Sequence, residues 1–464
     1  MTDRLAPSEL HPSDLRPPRA ETYLPESRRS LGHVAVPTGD RLVPDGTAGG
    51  LEAEPVSPPP SALAAAWHPL RIPMYRAFWM ASLMSNLGTW IHEVGASWLM
   101  TQLDPSPVMV SSVRAAMALP MLLLALPAGV LADRIDRRRL LIGTQWWMLL
   151  TAVLLATLAF QGWVTPWVLL MLTAATGLGM VLHGPTWQAS IPELVPRHSL
   201  ASAIALGSIS FNLARSAGPA LGGLMVAWLG SWSAFAINAG SFAGVIGVLM
   251  CWKRSETESA EGRSFLGSLG DGLRFASGDR TMRHVLVRVG LYVLPAGALW
   301  SLLPLVAHDM LQWNALGYGV LVGGIGLGAV LAAIVLPLVR GRWGADRTLV
   351  VSHLATAAAL ALTALSPSRT GTALLMLLAG GGWMMTLTTL NSTAQMTLPR
   401  KLRARGMGSY LTAFAAAMSG GALLWGGVAR ACGLSTALAT ASLVLLASIA
   451  AGRMLPLGDS DTGH

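Results

Sequence analysis

Between residues 77 and 454 the chain repeats one pattern: about twelve stretches of twenty or so mostly apolar residues, separated by short polar connections. Hydrocarbon offers no hydrogen-bonding partner, so a segment of this kind crosses it as a helix whose backbone groups satisfy one another. The approximate spans are 77–101, 108–132, 140–160, 166–188, 200–228, 231–252, 285–307, 314–339, 348–367, 370–394, 406–429 and 433–454. Composition agrees, because 53% of residues are hydrophobic and 12% are charged, against about a quarter charged in soluble domains. The expectation is an all-α integral membrane protein with twelve transmembrane helices.

The net charge of +9 would suit nucleic acid in a soluble chain, but here the basic residues sit between apolar runs, where they set topology. Connections after the even-numbered spans hold most of them, including Arg134, Arg137, Arg138, Arg139, Arg197, Arg340, Arg342 and Arg347. The alternate connections offer Arg369 and Arg430. This asymmetry places both termini in the cytoplasm, the protein lying multi-pass in a membrane. The first sixty residues carry 6 Arg and 9 Asp plus Glu, a net charge of 6 − 9 = −3. They are proline-rich and lack an apolar period, which predicts a disordered cytoplasmic tail over 1–66. The organisation that follows is a six-helix bundle over 67–252, a cytoplasmic loop over 253–283, a second bundle over 284–455 and a short tail over 456–464. The halves echo each other: "PELVPR" before "GPALGG" in the first corresponds to "QMTLPR" before "ALLWGG" in the second, near two hundred residues on.

Six charges fall within the seven residues 133–139, in "GVLADRIDRRR" between the second and third spans. With six plus six helices around it, this loop resembles the signature G-x-x-x-D-[RK]-x-G-[RK]-[RK] of the major facilitator superfamily. Gly129, Asp133, Arg134, Arg137 and Arg138 fit it, while Asp136 replaces the second glycine. "SNLGTWIHEVGASWLM" and "LNSTAQMTLPRKLRARGMGSYL" are similar to the bacterial exporter branch of that superfamily, which includes enterobactin exporters and macrolide efflux pumps, the transmembrane secretion effector type. The resemblance implies two pseudo-symmetric six-helix bundles, alternating access, and a cytoplasmic gate latch made by the loop, with Asp133 against a helix N-terminus of the opposite half and the arginines pairing across the interface. "ARSAGPALGG" in the fifth span resembles an antiporter signature, with Gly218, Pro219, Gly222 and Gly223 matching; Gly218 and Gly222 make a small-residue face for close helix packing. Thr173 stands where exporters of this kind often keep an arginine.

Ionisable side chains inside a span are costly and therefore functional candidates. Glu93 is the acidic residue placed well inside one, about sixteen residues or roughly 24 Å along the first span. Arg114 and Arg215 are expected at similar depth, and a Glu93 pair with either would suit proton coupling. Asn86 and Ser97 share the helix face of Glu93. They join Asn212, Asn391 and Gln395 as candidates to line a substrate cavity, whereas His92 points elsewhere and is expected to be exposed. Most tryptophans read as interfacial anchors.

Neither Lys253 nor Lys401 follows a glycine, so the chain holds no phosphate-binding G-x-x-x-x-G-K-[ST] loop. "HEVGA" has Ala96 where a zinc protease needs its second histidine. Cys251 and Cys432 are far apart in sequence and predict no disulfide framework. No enzyme activity, cofactor, metal or nucleic acid is expected. The reading is a monomeric, proton-coupled antiporter that exports small amphipathic molecules such as a drug or a siderophore, its partners being the small-molecule substrate, protons and the lipid bilayer. The alternative is a transporter fold kept as a membrane sensor or scaffold.

Overall fold

The computed structural model describes residues 66–253, 278–365, 367–399 and 403–457, the side chains of 126, 128–134 and 403–405 excepted. The expected N-terminal tail, most of the central loop and the end of the chain therefore lie outside the described residues. Among those described, long helices dominate and there are no strands. In chain order they are α1 (Pro73–Leu103), α2 (Pro107–Arg134), α3 (Arg137–Phe160), α4 (Pro166–Leu194), α5 (Leu200–Leu229) and α6 (Ser231–Cys251). There follow α7 (Arg280–Leu305), α8 (Ala315–Leu365), α9 (Arg369–Thr397), α10 (Arg403–Cys432) and α11 (Leu434–Arg453).

The connections carry the residues that start and stop helices. Pro73 and Pro166 stand in the first turn, where a missing N–H costs nothing. Asp136, Thr165, Asp279 and Ser368 accept hydrogen bonds from backbone N–H groups three residues on. Gly230 and Gly433, at φ +89° in both cases, turn α5 into α6 and α10 into α11. They occupy equivalent places in the echo between the halves.

The long α8 covers two of the expected spans, with Gly344 at φ 72° and ψ 176° inside it. Its two limbs run in opposite directions along α9. On the first, Gly324 lies against Ala373 and Gly328 against Leu377, ascending together; on the second, Ser352 meets Thr386 and Thr356 meets Gly382, descending. The chain therefore reverses at Gly344, a backbone conformation that a side chain would strain.

Nine helices among the described residues are long and apolar enough to cross a membrane. The expectation of twelve is met in part, and α1 and α5 are the long helices outside the nine. Both carry polar residues on a cavity-facing side, Ser82, Ser85, Asn86 and Thr89 on α1 and Ser208 and Asn212 on α5, which lowers their apolar character.

Helices α1 to α6 pack on one another, as do α7 to α11, and the two sets meet chiefly through α2 on α10 and α5 on α8. Glycine makes the second contact possible. A Cβ on Gly223 would lie 2.9 Å from Gly319 Cα, and one on Gly326 would lie 2.8 Å from Ser216 Cα. Nearer the other end of these two helices the surfaces part, leaving Ile204 53% and Leu338 75% exposed. The two sets are thus joined at one end and splayed at the other.

Gly223→Val is expected to destabilise the fold by about 1–3 kcal/mol through overpacking against the α8 backbone. Gly240→Ala, in open space, serves as the control. Thermal unfolding of the purified variants in one detergent checks both.

Candidate functional site

At the joined end, α1 and α2 bring Glu93 and Arg114 together in an ion pair whose side chains are 13% and 15% exposed. The Arg114 guanidinium also lies over the Trp300 ring of α7, 5.2 Å from its centroid. A charge buried this far is tolerable only with a partner, and the aromatic face supplies a second attraction. The pair thereby connects α1 and α2 to the second helix set. Beyond it Trp98 stacks on Tyr318 at 6.3 Å and meets His308 edge-on at 5.7 Å, closing this end with aromatic surface.

Below the pair a cavity of about 260 Å³ is walled by Trp90, Met117, Met121 and Phe211 of the first set and by Trp300, Trp383, Phe414 and Met418 of the second. Two cations face it, Arg114 and Arg215. Arg215 is not paired with Glu93. Its Nε and Nη2 are buried with no hydrogen-bond partner among the described residues. A second cavity of about 610 Å³ adjoins this one at Phe211 and is more polar, with Asn86, Gln145, His183, Gln188 and Asn212 in its lining. Asn86 donates to Ser82 Oγ at 3.3 Å and Asn212 to the Ser208 carbonyl at 2.9 Å, while Gln145 and His183 lie 3.3 Å apart. Aromatic walls, a free guanidinium and amide groups together suit an amphipathic organic molecule with an acidic or hydrogen-bonding end.

The candidates taken from sequence are thus distributed unevenly. Asn86, Asn212, Arg114 and Arg215 line the cavities. Ser97 does not: it is buried within hydrogen-bonding reach of Tyr318, because α1 at that depth is already packed against α8. Asn391 and Gln395 line neither cavity and hydrogen-bond each other at 2.6 Å along α9. His92, expected to be exposed, is 1% exposed and packs edge-on against Phe235 of α6 at 4.9 Å, since the face of α1 opposite the cavity is covered by α6. Thr173 is buried too.

Gly218 and Gly222 pack against α1, where a Cβ on Gly222 would lie 3.0 Å from Ile91 Cα, and Gly223 packs against α8. The Pro219 carbonyl also faces Gly319, so the motif serves both contacts of α5. In the charged loop, Gly129, Asp133 and Arg134 lie outside the described side chains. Arg137 pairs with Glu193 of α4 at 2.8 Å, and Arg138 donates to the Leu249 and Met250 carbonyls at the end of α6, both at 2.9 Å. These arginines therefore hold α3 to its own set instead of pairing across the interface as expected; the C-terminal carbonyls of α6 are unsatisfied acceptors that attract a cation.

Sequence reading missed Trp300, Trp383, Gln145 and His183. Tryptophan at a span end reads as an interfacial anchor, yet both of these lie in mid-helix, 20 residues from the start of α7 and 14 from the start of α9. Mid-span position was the available signal.

Arg114→Met would leave the Glu93 carboxylate buried without its cation and is expected to cost about 3–5 kcal/mol. Combining it with Glu93→Gln is expected to recover most of that loss. Equilibrium unfolding of the single and double variants in mixed detergent micelles checks the coupling.

The profile of the transmembrane secretion effector family matches residues 64–463. The staphyloferrin A transporter of Staphylococcus aureus is 25% identical over 57% of this chain and 67% of its own length. The multidrug efflux pump Tap of Mycolicibacterium fortuitum is 28% identical over 79% of this chain and 91% of its own. In three dimensions the chain is similar to a bacterial homologue of the human lysosomal transporter Spinster, with a TM-score of 0.66 at 14% identity, covering 84% of this chain and 98% of that one; at such identity the likeness is one of fold. The chain belongs to the transmembrane secretion effector family of the major facilitator superfamily, and is a multi-pass membrane transporter of bacterial type, not an enzyme.

Proposed function

We propose that the chain is a proton-coupled antiporter that exports small amphipathic molecules by alternating access. In this reading it acts as a monomer in the bacterial inner membrane, with twelve crossings in two six-helix bundles, 67–252 and 284–455, and both termini in the cytoplasm. The reversal at Gly344 supports the count, since the two limbs of α8 then cross separately. The basic connections lie at the splayed end of the two sets, so the cavities open toward the cytoplasm and the Glu93–Arg114–Trp300 contact closes the outer side. The named cargoes of the relatives, a siderophore in one case and multiple drugs in the other, are of the kind that an aromatic cavity with a spare guanidinium accommodates.

The observation that carries the reading is the buried Glu93–Arg114 pair bridging to Trp300 beside that cavity. Arginine stays cationic, so the carboxylate is the member able to take up a proton. While Glu93 is ionised, Arg114 is held over Trp300 and the outer side stays shut. Once cargo occupies the cavity and the helices shift, the pair loosens and the carboxylate, no longer held against its cation, takes up a proton from outside. Return to the cytoplasm-facing arrangement re-forms the pair and releases the proton inward. Asn86 and Asn212 orient polar groups of the cargo, and Arg215 receives its acidic or acceptor end.

Everted membrane vesicles test this with a siderophore, a macrolide and a cationic dye as cargoes. Glu93→Gln is expected to reduce uptake to the level found with the pH gradient collapsed, at unchanged protein abundance; full gradient dependence in that variant refutes the coupling. No transport of any cargo class by the wild type refutes export itself.

The latch reading of Gly129, Asp133, Arg134, Arg137 and Arg138 is a proposal of the same kind. Asp133→Asn preserves shape and the basic loop while removing the charge that would engage the opposite half in the outward-facing state. Slower turnover by about tenfold is expected, equivalent to ~1.4 kcal/mol in the balance of states. Initial rates at saturating cargo measure it.

A further inference from the structure

A cavity of about 510 Å³ lies between the start of α7, the Gly344 turn of α8 and the end of α11. Arg288, Arg347 and Arg453 line it with Trp343 and Asp346, so three guanidinium groups face one carboxylate. Arg288 is 7% exposed. Its Nη1 pairs with Asp346 at 2.6 Å and its Nη2 donates to the Gly452 carbonyl. Its Nε is buried without a hydrogen-bond partner among the described residues. Through Nη1 and Nη2 Arg288 is committed to partners within the protein, and Arg347 and Arg453 are the exposed cations of the lining.

An apolar groove of about 480 Å³ continues from the cavity, sharing Leu291 and Ser448 with it, and runs between α7 and α11 past Leu294, Pro295, Val444 and Ala447. It opens on the outside of the bundle, where Val287 and Val444 are 44% and 40% exposed. Neither space includes a residue of the central cavity. Trp300, the α7 residue of that cavity, is twelve residues beyond Arg288, or roughly 18 Å. The corresponding place between the start of α1 and the end of α6 is filled, with Phe78 edge-on against Trp252 at 5.2 Å.

We propose that this pair of spaces binds one anionic phospholipid of the bilayer, its phosphate held by Arg347 and Arg453 at the exposed side of the cavity and one acyl chain lying in the α7–α11 groove. Charge complementarity selects the headgroup, and the groove distinguishes a lipid from free phosphate. Trp343, 43% exposed at the mouth, sits where an indole favours the interface. The bound lipid ties the Gly344 turn to α7 and α11, stabilising the connection between the two limbs of α8.

Native mass spectrometry of the full chain, delipidated and titrated with phosphatidylglycerol, phosphatidylethanolamine or inorganic phosphate, tests the assignment. The wild type is expected to retain one phosphatidylglycerol in clear preference to phosphatidylethanolamine. Arg347→Gln with Arg453→Gln, both exposed positions, is expected to weaken that binding at least tenfold with the lipid-free melting temperature unchanged. Val444→Trp, which fills the groove at a residue that does not line the head cavity, is expected to weaken phosphatidylglycerol while leaving any phosphate binding intact. Equal retention of phosphatidylglycerol by the wild type and the double variant overturns the proposal. So does displacement of the lipid effect by inorganic phosphate, which would make the cavity a site for free anions, or equal retention of the two lipids.

Discussion

The structure depends on a constraint imposed by the solvent. In hydrocarbon every backbone N–H and C=O must find its partner within its own helix, so secondary structure is settled before any helix meets another. Apolar burial then does little to select helix partners, because lipid is as apolar as a leucine side chain. Selection falls to close packing, and small residues mark where it happens. The tight contacts of α5 illustrate this: Gly218 and Gly222 admit α1, and Gly223 admits α8 from another side. One helix therefore carries both the packing inside its set and the seam to the other.

Against this background a buried charge is an exception that needs local compensation. Glu93 and Arg114 compensate each other, with Trp300 adding a cation–π contact. Arg215 is left with unused donors beside a cavity whose walls are otherwise apolar and aromatic. The same contrast recurs near the other end of the second set, where Arg288 is partly satisfied by Asp346 and the Gly452 carbonyl. The two sites differ in what lies next to them: the first adjoins at Phe211 a larger cavity lined by the first set, and the second adjoins a groove between α7 and α11. Of these two, the first has walls from both sets and the second from the second set alone.

The charged loop after α2 shows how one sequence feature serves two purposes. Asp136 caps α3 by accepting from the Arg139 N–H, and Arg137 and Arg138 fasten α3 to α4 and α6. Their positive charge would fix topology wherever their side chains pointed. What they bind depends on which carbonyls and carboxylates the neighbouring helices present, and in this arrangement those belong to the same set.

Much of the architecture was legible in the residues alone. The helices were legible in the apolar runs and the family in "GVLADRIDRR" with "GPALGG", because each depends on local composition or on a short motif. Glu93 stood out for the same reason, as a carboxylate in an apolar run. Its partner did not, since Arg114 and Arg215 lie at comparable depth on different helices and only the packing of α1 against α2 selects Arg114. Likewise His92 and Ser97 were misplaced because their surroundings come from α6 and α8, more than a hundred residues away in sequence. Trp300 and Trp383 look like any other tryptophans until two helices of the second set turn them toward the first. The sequence by itself determined the all-helical, apolar character of the chain, since a helix in lipid is a local solution to a local problem. Tertiary structure decided which faces meet, which charge pairs and where the cavities lie, because those depend on distances between segments that no single span encodes.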